Sequence, residues 1–428
     1  MRRRYLTTAA VLLVVGLMAA ACSSSKNTSS SSGGTTGSAA GGKATGSPIT
    51  IGFVSDRTGL AASSFSTAHY GAEARIDAQN AAGGVNGHKL VLVEEDSQSS
   101  PTGNLTASQL LVQKGAFGIV EDSSFTFGAY KYLNKQGVPV TGAAIDGPEW
   151  GQQPNTNMFS VTGIGSTPIN GKYYTYDSQA RFLKDIGVTK LAGVVFSIQS
   201  AIQAMSSLLQ SGSPVGLSKC YVNNSIPFGA TDFTADVLAI KSSSCDGVVA
   251  LTLLSTDIAL SNAIKQAGLT NMKQLYATAY DQNLLDQPNA LAAMQGDYTE
   301  TAIDYSHPSP GAEKMMAQLK QYTPFRGSIP SLNISQGWAA ADLMIKGLQV
   351  AGKNPTRQAF ISNLRQVSNY TADDLYTAPG VNFNNFGSVT QFAKTSCGYF
   401  VQITAKGYTS YNNGKPVCGK LVATNSSS

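Results

Sequence analysis

The chain has 428 residues, of which 42% are hydrophobic and only 13% charged, with 30 basic residues against 25 acidic. Removing Arg2, Arg3 and Arg4 from the 30 leaves 27, a near balance without the basic footprint of a nucleic-acid binder. Three histidines and five cysteines leave little material for metal clusters or histidine-based catalysis.

At the N-terminus the three arginines precede an uncharged apolar run, Leu6 to Ala21. This is the pattern of a secretory signal over residues 1–21, and the run falls short of the ~20 apolar residues that a spanning helix needs. Ala19, Ala20 and Ala21 offer a small-residue cleavage site directly before Cys22. The junction resembles the lipobox of bacterial lipoproteins, with Ala19 where leucine is usual. That resemblance implies a diacylglyceride on the Cys22 thiol; an ordinary secreted protein is the alternative. Each buried lipid CH₂ contributes about 0.8 kcal/mol, so two or three acyl chains would hold the protein on a membrane. Ser23 to Ser47 is dominated by Ser, Gly, Thr and Ala and lacks apolar periodicity, which predicts a disordered tether over residues 22–47.

The other four cysteines fall into two pairs close in sequence, Cys220 with Cys245 and Cys397 with Cys418. An oxidising compartment favours these two local disulfides, although four cysteines permit three connectivities.

From Pro48 short apolar runs alternate with amphipathic stretches. "ITIGFVS" (49–55) predicts a buried strand, and Ala68 to Ala82 a helix with Ala68, Ala72 and Ile76 on one face, stopped by Gly83 and Gly84. "KLVLVEED" (89–96) predicts the next strand. Pro101 to Lys114 follows as a helix with Leu105, Leu110 and Leu111 for the core. "AFGIVED" (116–122) and "GVPVTGAA" (137–144) continue a series of parallel βαβ units. After a break near 160–168 the pattern restarts with "KLAGVVFS" (190–197), "CYVNN" (220–224), "DGVVALT" (246–252) and "QLYATAY" (274–280). A helix-rich stretch from about His307 to Val367, with Trp338, Leu343 and Leu348, precedes a short β-rich tail. Roughly 380 residues after the tether exceed one hydrophobic core, so two lobes are expected.

Catalytic signatures are missing. No G-x-S-x-G elbow accompanies the three histidines. Gly165 to Lys172 misses the phosphate-loop spacing, with five residues rather than four between its glycines and Tyr173 in place of Ser/Thr. "GIG" at 163–165 lacks the third glycine of a dinucleotide fingerprint. The acids of "VEED" (93–96) suit a polar strand end.

"ITIGFVSDRTGLAA", "GAEARIDAQNAAGGVNGHKLVLVEEDSQSSP" and "GVPVTGAA" resemble the opening of the type I periplasmic binding proteins, the branched-chain amino acid class of ABC-transporter receptors. The resemblance spans roughly Pro48 to Gly419. It implies an α/β fold of two doubly wound lobes joined by about three crossings, with a ligand between them. The expected division is 48–163 plus 300–380 for lobe 1, 164–299 plus 381–420 for lobe 2, and a disordered tail over 421–428.

Doubly wound sheets bind ligands at the carboxyl ends of their strands. Ser123 and Ser124 follow "GIVED", where their hydroxyls and nearby N–H groups can hold a carboxylate or simply cap the next helix. In the resembling family this serine position and an Ala-Ala-Thr loop hold the α-groups of an amino acid. Ala143 and Ala144 match that loop, Ile145 stands in the threonine's place, and Asp146 follows. In lobe 2, Phe196 to Gln199 occupies a loop where the family often presents tyrosine. Tyr280 and Asp281 lie where the family places an acid that meets the ammonium; Asp281 can take that role or merely start the next helix. Phe65 is the expected aromatic wall, or a packed loop residue. The implied function is a lipid-anchored receptor on the extracytoplasmic face of the membrane. It would be monomeric, without cofactor or metal, and would deliver an amino-acid-like or amide ligand to ABC permease subunits; a sensing module and an envelope lipoprotein are the alternatives.

Overall fold

The last five residues of the first strand, Ile51 to Ser55, are all buried, as a central strand covered on both faces requires. The structure, a computed structural model, describes residues 44–427 other than 152, 164–166, 377–378 and 386. The signal segment, Cys22, the tether as far as residue 43, and Gly165 with most of the "GIG" run lie outside the described residues.

Lobe 1 is built on β1 (Gly46–Ser55), β2 (His88–Asp96), β3 (Gly118–Asp122), β4 (Val140–Gly142) and β5 (Met158–Ser160), in the order β2-β1-β3-β4-β5. All its pairings are parallel. The helix His69–Ala81 buries Ala72 and Ile76, and packs on the long helix Leu332–Ala351, whose Trp338, Leu343 and Leu348 are fully buried. Each leucine buried in this way contributes about 2 kcal/mol. Close approach of the two helices depends on Gly71, because a Cβ there would lie 1.9 Å from the Ile334 carbonyl oxygen. Arg75 crosses the same interface to Asp342 at 2.8 Å.

The helix Pro101–Gln113 forms as expected but turns differently. Leu110 is 38% exposed, whereas Asn104 and Ser108 are buried. Their side chains donate to the buried Glu121 carboxylate at 3.1 and 3.3 Å, so a polar requirement sets this helix face. Burial pushes Glu121 up to about 8.

Lobe 2 carries β6 (Tyr173–Tyr176), β7 (Lys190–Phe196), β8 (Ser218–Ile226), β9 (Gly247–Leu251), β10 (Lys273–Tyr276), β11 (Tyr298–Thr301), β12 (Thr395–Thr404), β13 (Gly407–Ser410) and β14 (Val417–Thr424). The order is β6-β14-β12-β11-β10-β9-β7-β8, with β13 on β12. Strands β7 to β11 pair in parallel and β12 joins antiparallel. The chain passes between the lobes after β5, after β11 and before β12, because the helices Pro310–Tyr322 and Leu332–Ala351 pack on the His69–Ala81 helix of lobe 1.

Both disulfides form. Cys220 is bonded to Cys245, and Cys397 to Cys418, the latter directly opposite each other in the β12–β14 ladder. The expected disordered tail over 421–428 is corrected: Leu421 to Thr424 pair with Tyr176 to Tyr173 of β6, which ties the chain end into lobe 2. At the other end β1 begins at Gly46, two residues inside the expected tether.

Candidate ligand-binding cleft

Three neighbouring strands of lobe 1 end at one place. Asp56 follows β1, Ser97 follows β2, and Ser123 and Ser124 follow β3. The Asp56 carboxylate accepts a short hydrogen bond from the Ser97 hydroxyl, one from the Ser123 hydroxyl at 2.6 Å, and one from the Ser124 N–H at 2.9 Å. Its side chain is wholly buried. Burial raises its pKa, against which these three donors pull it down. The serine turn thus already holds a carboxylate, and that carboxylate belongs to the chain.

Asp146 repeats the arrangement one strand further on. It accepts the Phe127 N–H at 2.6 Å and the Trp150 indole N–H at 2.9 Å, and burial lifts it to about 6. The Ala143 carbonyl accepts the Thr162 hydroxyl, Ala144 adopts a positive φ of 52°, and Ile145 is 38% exposed. Ser123 and Ser124 are therefore brought together on Asp56, while Asp146 is held by a separate set of internal donors. Asp122, fully buried beside them, makes no hydrogen bond among the described residues, and burial holds its pKa well above the usual carboxylate range.

Phe65 and Phe196, from opposite lobes, belong to one apolar cluster with Phe125. Phe228, which packs against this cluster, stacks on Phe196 at 4.3 Å and lies 5.4 Å from Phe125. The Ser63 and Ser255 hydroxyls lie 3.3 Å apart beside this seam. The Leu254 N–H reaches the Ser64 hydroxyl at 3.4 Å. The lobes are therefore in contact here, through aromatic rings that sequence reading identified only in part; Phe125 and Phe228 gave no motif to find them by. Gln199 stands apart, exposed, with its amide donating to Ser427 at 3.3 Å.

On the lobe 2 side Tyr280 and Asp281 are buried at the carboxyl end of β10. The Tyr280 hydroxyl accepts the Tyr305 N–H at 3.2 Å. Asp281 caps the short helix Gln282–Leu285, accepting the Asn283 N–H at 2.8 Å through Oδ1, and the Asn283 side chain also hydrogen-bonds its carboxylate. Burial raises Asp281 to about 7. It lines a pocket of about 360 Å³ whose other walls include Thr67, Ser331 and Ile334 from lobe 1 and Asp286 from lobe 2, with Arg326 at the edge. Asp281 is the one predicted ligand residue that faces this space. Thr67 and Ser331 escaped sequence reading because nothing local marks them as facing the other lobe. A separate pocket of about 360 Å³ touches all three crossings, through Thr162, Ala302 and Gln391 among others, and contains none of the predicted ligand residues.

The fold is similar to that of several solved structures. A leucine binding protein from Thermotoga maritima superposes with a TM-score of 0.67 at 14% identity, covering 88% of this chain and 99% of that one. A fatty acid ABC transporter substrate-binding protein from Thermomonospora curvata gives 0.68 at 18% identity, with 87% and 94% covered. A solute binding protein from R. palustris in complex with 4-hydroxybenzoate gives 0.66 at 16% identity, with 89% and 98% covered. A search of curated proteins returned no match. A family model described as periplasmic binding protein matches residues 48–408. With two α/β lobes, three crossings and that match over most of its length, the chain belongs to the periplasmic binding protein family, whose members are substrate-binding receptors and not enzymes.

Proposed function

We propose that this chain is the solute-binding receptor of an ABC importer, held at the extracytoplasmic face of the cell membrane by lipid on Cys22, and that it closes its two lobes on a small amino-acid-like or amide ligand. The observation that carries the ligand reading is Asp281: a buried carboxylate hydrogen-bonded by one residue, Asn283, and lining a pocket walled by both lobes. A group donating hydrogen bonds or carrying positive charge satisfies such an oxygen, and an interlobe ligand stabilises closure because it gains contacts only when both lobes are present. Leucine, 4-hydroxybenzoate and fatty acid, the ligands named for the similar structures, share a carboxylate and little else. Fold alone therefore does not select the ligand, and the residues at the cleft must.

A thermal-shift screen of the purified protein against amino acids, amides, amines, sugars and aromatic acids tests the reading. A ligand at 100 times its dissociation constant adds about 2.7 kcal/mol of stability, visible as a clear rise in Tm. A hit that disappears in Asp281→Asn supports the site, and a hit unaffected by it moves the ligand elsewhere. Replacing Cys22 by serine should shift the chain from the membrane to the soluble fraction; continued membrane retention would remove the lipid anchor from the proposal.

A further inference from the structure

We infer that Asp56 is a built-in substitute for a ligand carboxylate, and that it restricts this receptor to amines, amides and other ligands that present no carboxylate to lobe 1. The inference rests on the receptor reading above and names the ligand class of that receptor.

The cradle is made by the residues that follow three adjacent parallel strands, which is where a doubly wound sheet presents ligand-binding groups. Its donors are two hydroxyls, Ser97 and Ser123, and one backbone N–H, Ser124. Three donors fill most of the roughly four acceptor sites of one carboxylate, and the Asp56 carboxylate occupies the set with both oxygens engaged. Both hydroxyls also accept a backbone N–H from two residues on, Ser97 from Ser99 at 3.3 Å and Ser123 from Phe125 at 3.0 Å. The neighbouring Phe127 N–H, which could have served a second anion, is taken by Asp146.

A ligand carboxylate brought to this end of the sheet would find its donors engaged. It would also meet the negative charge of Asp56 in a poorly screened site, and like charges there repel strongly. An amine or amide meets no such barrier, and Asp281, in the pocket walled by Thr67 and Ser331, can accept its N–H.

The test has two arms. In the first, the purified protein is titrated by thermal shift with matched series: leucine, leucinamide and isoamylamine, then benzoate, benzamide and benzylamine. The expected result is a Tm rise with amines or amides and none with their carboxylate partners. A carboxylate that stabilises the wild type as well as its own amide overturns the inference, while leaving the receptor reading intact. In the second arm, Asp56→Ala is compared with wild type in sodium formate against sodium chloride at equal ionic strength. Formate should refill the cradle, so its concentration should raise the Tm of Asp56→Ala specifically and leave wild type unmoved. Where Asp56→Ala fails to fold, formate present during refolding should recover it. Asp56→Asn, which keeps the shape and removes the charge, should gain at least tenfold in affinity for the carboxylate members. Absence of formate rescue, or no gain in Asp56→Asn, overturns the inference. Formate rescue together with a blank across both series supports the cradle and counts instead against the receptor reading.

Discussion

Asp56 and Asp281 are the same side chain in nearly the same setting. Each follows a strand at the cleft end of its sheet, and each is at most 3% exposed. They differ in what reaches them. Asp56 accepts two hydroxyls and a backbone N–H from three residues, whereas Asp281 is bonded by one residue, Asn283, and lines a pocket. Burial penalises both charges, and only the number of donors decides which is satisfied by the chain and which is left for a partner. Depth alone would have ranked them equal; accounting for hydrogen bonds separates a structural carboxylate from a binding one.

The largest effect should come from removing the satisfied member. Asp56→Ala leaves the Ser97 hydroxyl, the Ser123 hydroxyl and the Ser124 N–H without their acceptor, and unsatisfied buried donors together should cost about 3 kcal/mol. Chemical denaturation should show the midpoint falling with little change in slope. A loss below about 1 kcal/mol would mean that water replaces the carboxylate easily, and the contrast between the two aspartates would weaken.

Asp281→Asn should act in the opposite direction. The folded-state pKa of Asp281, about 7, lies above its ordinary 3.8. Between those values the folded protein holds a proton that the unfolded chain has released. The contribution of this group to stability is therefore full at low pH, falls as pH rises toward 7, and stays low above it. Asp281→Asn should be more stable than wild type at pH 8 by an amount on the order of 1 kcal/mol, and equal to it near pH 4. Glu121, raised to about 8, and Asp257, raised to about 7, give the same sign, so the difference between variant and wild type is the quantity to follow across pH. Binding of a cationic amine should strengthen as pH rises toward 7 in wild type, as Asp281 ionises near Asp286, and lose that dependence in the variant. A pH-independent difference would show that Asp281 does not titrate in this range.

Much of this architecture was legible in the sequence, because repeated units carry period. The strand over 49–55, the helix ended by Gly83 and Gly84, and the two cysteine pairs follow from patterning and spacing, and they stand where expected. Three-residue strands such as β5 carry too little pattern to register. The C-terminal strand was hidden because its partner β6 is nearly 250 residues away, and only that pairing makes Leu421 to Thr424 extended. The burial of Asn104 and Ser108 in place of Leu110 answers to Glu121, a requirement that hydrophobic periodicity does not encode. The cleft was the least legible part. Asp281 and Ser123 could be picked out by their positions after strands, but the role of Asp56 depends on serines 41 and 67 positions further along the chain.

The smallest effect tests that last point most finely, because it separates two adjacent serines. Ser123 contributes its hydroxyl to Asp56, whereas Ser124 contributes its backbone N–H, and among the described residues the Ser124 hydroxyl makes no hydrogen bond. Ser123→Ala should therefore cost about 1 kcal/mol, the value of a charge-assisted bond partly compensated by the donors that remain. Ser124→Ala keeps its N–H and should change stability by less than about 0.5 kcal/mol. If the Ser124 hydroxyl served a ligand, the variant would keep its Tm yet lose the ligand-induced shift. If instead it is idle, both quantities stay at wild-type values, because a backbone donor already spent on Asp56 leaves the side chain above it no part in recognition.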